Sequence, residues 1–299
     1  MGNNRSYIGK ELCSPRFVRE ILRSRGIRPD RKKGQNFLVD SNVLKTIEKA
    51  ANLGSLDTVI EVGAGLGVLT SLLTEKCKQV YAIESDKRLV ELLKEKFGTV
   101  PNLSIIKANA LQVDFASLFP GNPPKSKMVA NLPYKIAATL LVECINRYTW
   151  ITEYVIMVQR EVAERILAKP CTSAYSAATV KIQAKADVEK IALVSRNSFY
   201  PKPNVDSALI KVKRIEASHE AKILKIEDED FFDQLVSASF SQRRKMLTNT
   251  CTGLKGIEKE KLEGLLEELG KSKKARAEEL TPEEFIILSN AFCKGSRMK

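Results

Sequence analysis

The sequence is poor in the residues that acid–base and metal chemistry most often use. Its 299 residues include a single histidine, His219, which lies in a charged stretch. We therefore do not expect a mechanism with a histidine base or a histidine-bound metal. The six cysteines are scattered and form no Cys-x-x-Cys pair. This pattern argues against a zinc site and a disulfide framework, and it predicts reduced thiols in a cytoplasmic protein that binds no metal.

Long apolar runs are also missing. No stretch of about 18 apolar residues occurs, so we expect no membrane-spanning helix. The N-terminal residues do not have the apolar core of a signal peptide. The hydrophobic content of 43% and the charged content of 28% are ordinary for a soluble globular protein. The length allows one large domain or two.

Positive charge is in excess, and it is unevenly distributed. The net charge is +13, and residues 1–35 carry ten Lys and Arg against three acids. Such an excess favours an anionic partner, with nucleic acid ahead of an anionic membrane surface. Residues 227–230 are all acidic, so a basic face coexists with an acidic connection. Charge alone decides little, because many basic proteins bind neither partner.

The apolar pattern divides the chain into three parts. Residues 1–33 form a basic arm with one helical piece from Pro15 to Arg25. Residues 34–214 alternate between strand and helix patterns, which is typical of an α/β sheet. Residues 215–299 begin with a polar linker and form a C-terminal helical domain. Its predicted helical runs are 231–251, 258–269 and 282–292.

A glycine-rich turn follows the first strong strand pattern. Residues 57–62 resemble a buried parallel strand, and Gly63, Gly65 and Gly67 precede a helix pattern. Glycines let a ligand approach the backbone and leave the helix N–H groups available. A dinucleotide fingerprint needs its third glycine at position 68, which is Val68, so the spacing favours an adenosyl ligand over a nicotinamide cofactor. A purely structural turn is the alternative for this motif alone.

Three further strand patterns end in polar residues. Glu84 lies 21 positions after Gly63 and is placed for hydrogen bonds to ribose hydroxyls. Asn109 follows the third strand, where its side chain can contact the amine of an adenine. Asn131 follows the fourth strand. Because ligands bind at the carboxyl ends of strands in open α/β sheets, we expect these residues to line one site.

The chemistry is predicted at Asn131-Leu132-Pro133-Tyr134. Pro133 holds Leu132 in an extended conformation, away from the helical region. The Asn131 side-chain oxygen and the Leu132 carbonyl are two acceptors, and Tyr134 offers a ring face. This set suits a flat base with an exocyclic amine. On their own, the four residues fit equally well a strand that leaves the sheet through an ordinary Asn-x-Pro turn.

Two other loops carry candidate residues. Residues 34–38, Gly-Gln-Asn-Phe-Leu, precede a helix and are apolar enough to fold back over a pocket. Two prolines stiffen the loop 198–206, where Phe199 or Tyr200 either faces a base or packs as an ordinary loop aromatic. Both loops are therefore candidate walls of the ligand site.

Three consecutive cations, Arg243, Arg244 and Lys245, lie inside the predicted helical run 231–251. Consecutive residues cannot share one face of a helix, so some of these side chains point outward. Outward cations can contact the phosphates of a nucleic acid. A solvated helix face is the alternative.

Taken together, these segments resemble the ribosomal RNA adenine dimethyltransferase family, of the small-subunit type. The resemblance covers about residues 30 to 292. Each motif alone is modest, whereas their order and spacing are specific. The motifs are Gly34–Leu38, Glu61–Gly67, Glu84, Asn131–Tyr134, Phe199–Pro203 and Arg243–Lys245.

The resemblance implies a class I S-adenosylmethionine-dependent methyltransferase, with a Rossmann-like α/β sheet and a small C-terminal helical domain that binds RNA. It implies S-adenosylmethionine as the methyl donor. The implied substrate is two adjacent adenosines in a loop near the 3′ end of small-subunit rRNA, each dimethylated at its exocyclic amine. The implied partner is the immature small ribosomal subunit, and we expect a monomer.

The resemblance also implies the site residues. The donor site would contain Asn36, Leu38, Gly63, Gly65, Glu84, Asn109 and Asn131. The base site would contain Asn131, Leu132, Pro133, Tyr134 and Phe199. The family more often has Asp at position 109, but the Asn109 amide oxygen can still accept from an adenine amine. The basic extension before Lys32 is longer than a minimal member needs.

Other functions fit parts of the sequence. A large-subunit rRNA methyltransferase of the antibiotic-resistance type shares most motifs, although Gly34 and the cations at 243–245 favour the small-subunit enzyme. A non-catalytic RNA-binding assembly or transcription factor on the same fold has no need of an intact Gly63, Glu84 and Asn131. A nicotinamide oxidoreductase fits least, because no plausible proton donor accompanies the glycine turn.

Overall fold

The computed structural model describes residues 11–30, 34–215, 224–254 and 256–296, with side chains up to residue 293. Three predicted features therefore lie wholly or partly outside the described residues: the arm at 1–10 and 31–33, the linker at 216–223, and His219 within it. The described chain divides into two compact units. The first holds residues up to 163 and 188–214, and the second holds 164–187 and 215 onward.

The two units differ from the predicted parts at two places. Residues 164–187 belong to the second unit, because Tyr175 and Val180 are buried in one cluster with Phe232 and Leu235. The described part of the predicted arm belongs to the first unit. The first unit ends at Arg214.

A mostly parallel sheet is the centre of the first unit. The strands of the described chain are β1 (Phe37–Leu38), β2 (Thr58–Val62), β3 (Gln79–Glu84), β4 (Leu103–Lys107), β5 (Ser126–Asn131), β6 (Ile151–Gln159), β7 (Ala186–Val194), β8 (Phe199–Tyr200) and β9 (Ser207–Arg214). Seven of them form this sheet in the order β4-β3-β2-β5-β6-β9-β7, and β6 and β9 pair antiparallel. A separate two-stranded sheet pairs β1 with β8.

Helices alternate with the parallel strands, as the sequence predicts for residues 34–214. Every residue of β2 is buried, which is typical of a parallel strand with both faces covered. The helices are α1 (Pro15–Ser24), α2 (Ser41–Ala51), α3 (Val68–Lys76), α4 (Lys87–Phe97), α5 (Ala137–Arg147), α6 (Arg160–Ile166), α7 (Ala177–Gln183), α8 (Glu229–Ser239), α9 (Leu247–Cys251), α10 (Lys259–Glu268) and α11 (Pro282–Ser296).

The sheet brings four predicted strand ends to one edge. Strand β2 pairs in parallel with β3 on one side and with β5 on the other, and β4 continues beyond β3. The chain order therefore reverses between β2 and β5. In open α/β sheets, ligands bind at the carboxyl ends of the strands at such a switch point.

The N-terminal helix α1 matches the piece predicted from Pro15 to Arg25, but it is packed against the unit. Ser14 caps it by accepting from the Phe17 N–H. Val18 and Leu22 are buried in the same apolar cluster as Phe37. Residues 14–27 are therefore part of the fold and do not form a solvated arm.

The second unit is helical, with one correction to the prediction. The predicted run 231–251 is broken, because α8 ends at Ser239 and α9 begins at Leu247. Arg243, Arg244 and Lys245 lie in the turn between the two helices, so the helix predicted at these cations was wrong. The Leu247 N–H donates to the Ala275 carbonyl at 2.9 Å, so the first amide of α9 is bonded to a distant segment and not to a preceding helical turn. No helix in the described ranges is long and apolar enough to cross a membrane.

Candidate active site

A cavity lies at the carboxyl edge of β2, β3, β4 and β5, within the first unit. It brings together all the predicted site residues except Phe199, although these residues come from separate parts of the sequence. The predicted residues that line the cavity are Asn36, Leu38, Gly63, Gly65, Glu84, Asn109, Asn131, Leu132, Pro133 and Tyr134.

Phe199 is not part of this lining. Its side chain is 3% exposed, and it packs in the apolar cluster that also contains Leu38 and Leu209. Pairing of β8 with β1 places Phe199 opposite Leu38. The structure therefore keeps this ring in the core and does not present it to a base. The neighbouring Tyr200 is half-buried, and the Arg19 guanidinium lies 5.5 Å from the centre of its ring.

The glycine turn needs its glycines for different reasons. Gly63 has φ +78°, and a Cβ there would lie 3.4 Å from the Asn131 carbonyl oxygen. Gly65 has φ +59°, and a Cβ would lie 3.2 Å from the Phe37 ring. Gly67 has φ +88°, and a Cβ would lie 2.4 Å from Phe97. The first two glycines keep the backbone open to the cavity, whereas Gly67 allows close packing beneath it.

Glu84 is fixed at the end of β3 by three backbone donors. Its carboxylate accepts from the N–H groups of Gly65 at 3.0 Å, Ser85 at 2.8 Å and Asp86 at 2.9 Å. The side chain is buried, at 7% exposure, yet it lines the cavity. A carboxylate has about four lone-pair sites, so one remains for a further donor. These bonds also connect the glycine turn to the next strand.

Asn131 is oriented by the loop that follows the N-terminal segment. Its side-chain nitrogen donates to the Asn36 carbonyl at 3.2 Å. The Asn36 side chain in turn donates to the Gly34 carbonyl at 3.2 Å. Because the Asn131 nitrogen is used in this way, its side-chain oxygen is the atom that can accept from a ligand.

Tyr134 is positioned by strand β9. Its hydroxyl shares a hydrogen bond with Ser207 Oγ at 2.8 Å, and Ser207 is fully buried in that strand. Burial raises the pKa of the Tyr134 phenol, so this group is neutral at physiological pH. Its ring lines the cavity three residues after Asn131.

Glu61 is a site residue that the sequence reasoning did not single out. It is buried on β2, lines the cavity and accepts from Thr70 Oγ1 at 2.6 Å. Burial is the main reason that its pKa rises to about 8, and the Glu84 carboxylate raises it further, against the effect of the Thr70 hydrogen bond. An acid inside an otherwise apolar strand is the signal that could have identified it.

Gln35 and Leu12 also line the cavity without having been predicted individually. Gln35 donates to the Asp86 carboxylate at 3.0 Å and accepts from the Asp30 N–H at 2.7 Å. Arg88 pairs with the same carboxylate at 2.6 Å, and this contact is the main cause that holds the pKa of Asp86 well below its usual range. In the described part of the chain, no cluster of side chains is suited to hold a metal ion.

The cavity lies at the switch point of a mostly parallel sheet. A glycine turn follows one strand, and the next strand ends in an acid. This arrangement is typical of Rossmann-like methyltransferases. Comparison with known proteins identifies the family within this class. The family model "Ribosomal RNA adenine dimethylase" matches residues 28–294, and the chain belongs to this family. The predicted family and enzyme class are confirmed, and with them the use of S-adenosylmethionine.

Individual relatives are similar over nearly their whole length. The ribosomal RNA small subunit methyltransferase A of Bacillus mycoides is 37% identical over 288 residues, which cover 94% of this chain and 97% of that protein. A dimethyladenosine transferase from Plasmodium falciparum has a TM-score of 0.71 at 30% identity, covering 87% of this chain and 98% of that one. The 23S rRNA methyltransferase ErmE has a TM-score of 0.64 at 25% identity, covering 86% and 100%. The predicted fold class is confirmed.

Proposed function

We propose that this protein dimethylates the exocyclic amines of two adjacent adenosines in a loop near the 3′ end of small-subunit rRNA. Its substrate is the immature small ribosomal subunit, and it works as a monomer in the cytoplasm. The proposal rests on the orientation of the Asn131 side chain. Its side-chain oxygen remains available in the cavity that Glu84 also lines.

The cavity fits an adenosyl donor. A Cβ at Gly63 or Gly65 would contact Asn131 or Phe37, which line the cavity, and the buried Glu84 carboxylate offers an acceptor for ribose hydroxyls. Asn36, Leu38, Asn109 and Asn131 complete the proposed donor site. When bound, S-adenosylmethionine supplies a methyl group on a positively charged sulfur.

The residues after β5 supply the other half of the chemistry. An adenine amine is a poor nucleophile, because its lone pair is delocalised into the ring. Hydrogen bonds from its two N–H groups to the Asn131 oxygen and the Leu132 carbonyl favour a more tetrahedral nitrogen, with its lone pair available. Pro133 keeps that carbonyl in an extended segment. No strong base is needed, because an alkylated amine of this kind loses its proton readily.

Tyr134 gives the target base a stacking surface. Stacking on an aromatic side chain contributes roughly 1–3 kcal/mol per base. The hydrogen bond to Ser207 holds the Tyr134 ring in place at the cavity wall. Phe199 is the other ring predicted for this role. Because it packs in the core opposite Leu38 of β1, we assign the stacking role to Tyr134 alone.

The second unit is the proposed RNA-binding domain. Arg244 and Lys245 are exposed, and their side chains make no hydrogen bond or ion pair with other described residues. Arg243 is different, because it pairs with Glu278 at 3.2 Å and donates to the carbonyls of Thr172 and Ser173. Two of the three predicted cations are therefore available for phosphates.

Two alternatives are distinguished by one assay. Similarity to the 23S rRNA methyltransferase ErmE gives a large-subunit substrate a specific basis, whereas a non-catalytic RNA-binding factor would transfer no methyl group at all. Purified small and large subunits that lack the modification should be incubated with the protein and labelled S-adenosylmethionine. We expect label in small-subunit rRNA alone. Label in large-subunit rRNA, or in neither, would overturn the proposal.

A further inference from the structure

The N-terminal segment, here residues 11–30, reaches the donor cavity. Leu12 is fully buried and lines the cavity together with Gly65, Leu66 and Leu89. Composition alone assigns this stretch a basic character and no role. A side chain that lies in the wall of a ligand site is placed to contact the ligand.

Apolar packing holds the segment on the first unit. Val18, Leu22 and Ile27 are each at most 5% exposed, and they share a cluster with Phe37 and Leu38. The Ile27 N–H donates to the Leu22 carbonyl at 2.8 Å, which closes the end of α1. Phe37 is also the ring that meets Gly65. The segment therefore packs directly behind the glycine turn.

Polar contacts link the segment to the donor side of the cavity. Arg25 pairs with Glu95 on α4, and the Lys96 ammonium lies 5.5 Å from the centre of the Phe17 ring. Gln35 connects the segment to the start of α4, because it bonds to both Asp30 and Asp86. Asp86 lies two residues after the ribose acceptor Glu84, so this contact ends close to the donor site.

A further contact links the segment to the predicted base-binding loop. The Arg19 guanidinium lies over the Tyr200 ring of β8. Tyr200 is paired with Phe37 of β1, and the Asn36 carbonyl beside it holds the Asn131 side chain. The segment thus contacts α4 on one side of the cavity and β8 on the other. A helix that only filled the core would not make contacts on both sides.

We propose that the N-terminal segment is a wall of the donor site, with Leu12 as a positioning residue for S-adenosylmethionine. Leu12 closes the cavity with an apolar side chain, and donor binding in return stabilises the docked segment. Such coupling is reciprocal, because a ligand that is held by the docked state must favour that state. The inference rests on the proposed function only in taking S-adenosylmethionine as the ligand.

Calorimetric titration of the full chain with S-adenosylmethionine tests the role of Leu12. We expect Leu12→Ala to raise the Kd about tenfold, because truncation removes an apolar wall and leaves a void. The matched control is Leu141→Ala, a similar truncation of a fully buried leucine in the first unit, outside both the N-terminal segment and the cavity lining. Its Kd should stay within about twofold of wild type, and Leu12→Met should restore binding. Equal Kd values for Leu12→Ala and Leu141→Ala would overturn the inference.

Hydrogen exchange on the unmodified chain provides a test that does not depend on how a variant folds. Saturating S-adenosylmethionine should slow exchange of the amides in residues 16–27, none of which lines the cavity. Amides of α10 in the second unit serve as the reference and should not change. Unchanged exchange in residues 16–27 would overturn the inference while leaving the proposed function intact. A wild-type chain that binds no S-adenosylmethionine would overturn both.

Discussion

At the scale of one residue, substitution of Glu84 tests whether its carboxylate binds S-adenosylmethionine. In Glu84→Gln the side chain loses its charge and one of its two acceptor oxygens, although three backbone N–H groups and a ribose need them. Hydrogen bonds to a charged group are worth about 1.5–3 kcal/mol, so calorimetry should show S-adenosylmethionine binding weakened about 10- to 100-fold. The control is Glu91→Gln on the exposed face of α4, where Glu91 pairs only loosely with Lys87 at 3.7 Å. Equal affinities for the two variants would refute the role of Glu84.

Glu61 gives a second prediction at this scale, on pH and stability. An unfolded Glu61 loses its proton near its ordinary pKa of 4.5, whereas the folded residue keeps it up to about pH 8. The folded state therefore binds more protons between these values, and Glu61 makes the free energy of unfolding fall as the pH rises through this window.

Glu61→Gln lacks this titration. Its free energy of unfolding should therefore improve relative to wild type as the pH rises from about 4.5 to about 8. Urea denaturation of both proteins without donor, across that range, measures the difference. Glu48→Gln, a change in a half-exposed surface pair with Lys76, should instead run parallel to wild type. Parallel curves for Glu61→Gln would show that Glu61 is not held protonated.

Sequence reasoning at the residue scale predicted residues of the cavity lining where a polar side chain follows a buried strand. Glu84 and Asn131 follow buried strands, and parallel pairing brings such ends together. Phe199 was misplaced, because its inward orientation depends on pairing between β1 and β8, which lie more than 150 residues apart in the chain. The place of Leu12 in the cavity lining could not be predicted, because nothing in the sequence distinguishes a leucine in a basic stretch from any other helix residue.

At the scale of elements, the turn between α8 and α9 contains two kinds of cation. One is bonded within the protein, and the other two are exposed and can contact RNA phosphates. Arg243 holds this turn to the loop 172–173 and to Glu278. Arg243→Ala should therefore lower the stability of the second unit by about 1 kcal/mol, given that the side chain is half exposed. Thermal unfolding measures the decrease.

The neighbouring cations should behave in the opposite way. A variant that carries both Arg244→Ala and Lys245→Ala should keep the stability of wild type but bind small-subunit rRNA more weakly. The slope of log K against log salt should become shallower by about 0.7 to 0.9 for each phosphate that the variant no longer neutralises. Filter binding at several salt concentrations checks this. An unchanged affinity and slope would mean that the two side chains are simply solvated.

The break between α8 and α9 shows what element patterns cannot predict. Residues 231–251 keep apolar residues at helical spacing, and the sequence contains neither proline nor glycine in that range. The turn depends on partners distant in the chain, Ala275 and Glu278, which a local pattern does not contain. The four strands that end at the cavity were easier to predict, because each is a mainly apolar run followed by a polar or glycine residue.

At the scale of the whole molecule, the fold class and the family could be predicted because their signals are repeated along the chain. Four strand ends, two loops and a basic composition agree, and family membership confirms the prediction. The division into units could be predicted only in part. Residues 164–187 are joined to the second unit by burial of Tyr175 and Val180 against its helices, a choice of partner that composition does not reveal.

In the proposed mechanism, Asn131 supplies an acceptor for methyl transfer to adenine. This claim is tested most directly by mass analysis of nucleosides from small subunits incubated with S-adenosylmethionine and either wild-type protein or Asn131→Ala. Wild type should produce two N6,N6-dimethyladenosines per subunit. Asn131→Ala should produce at least about 100-fold less at the same time point, while calorimetry shows donor binding within about tenfold of wild type. Dimethyladenosine formed by Asn131→Ala at a rate near that of wild type would contradict the claim.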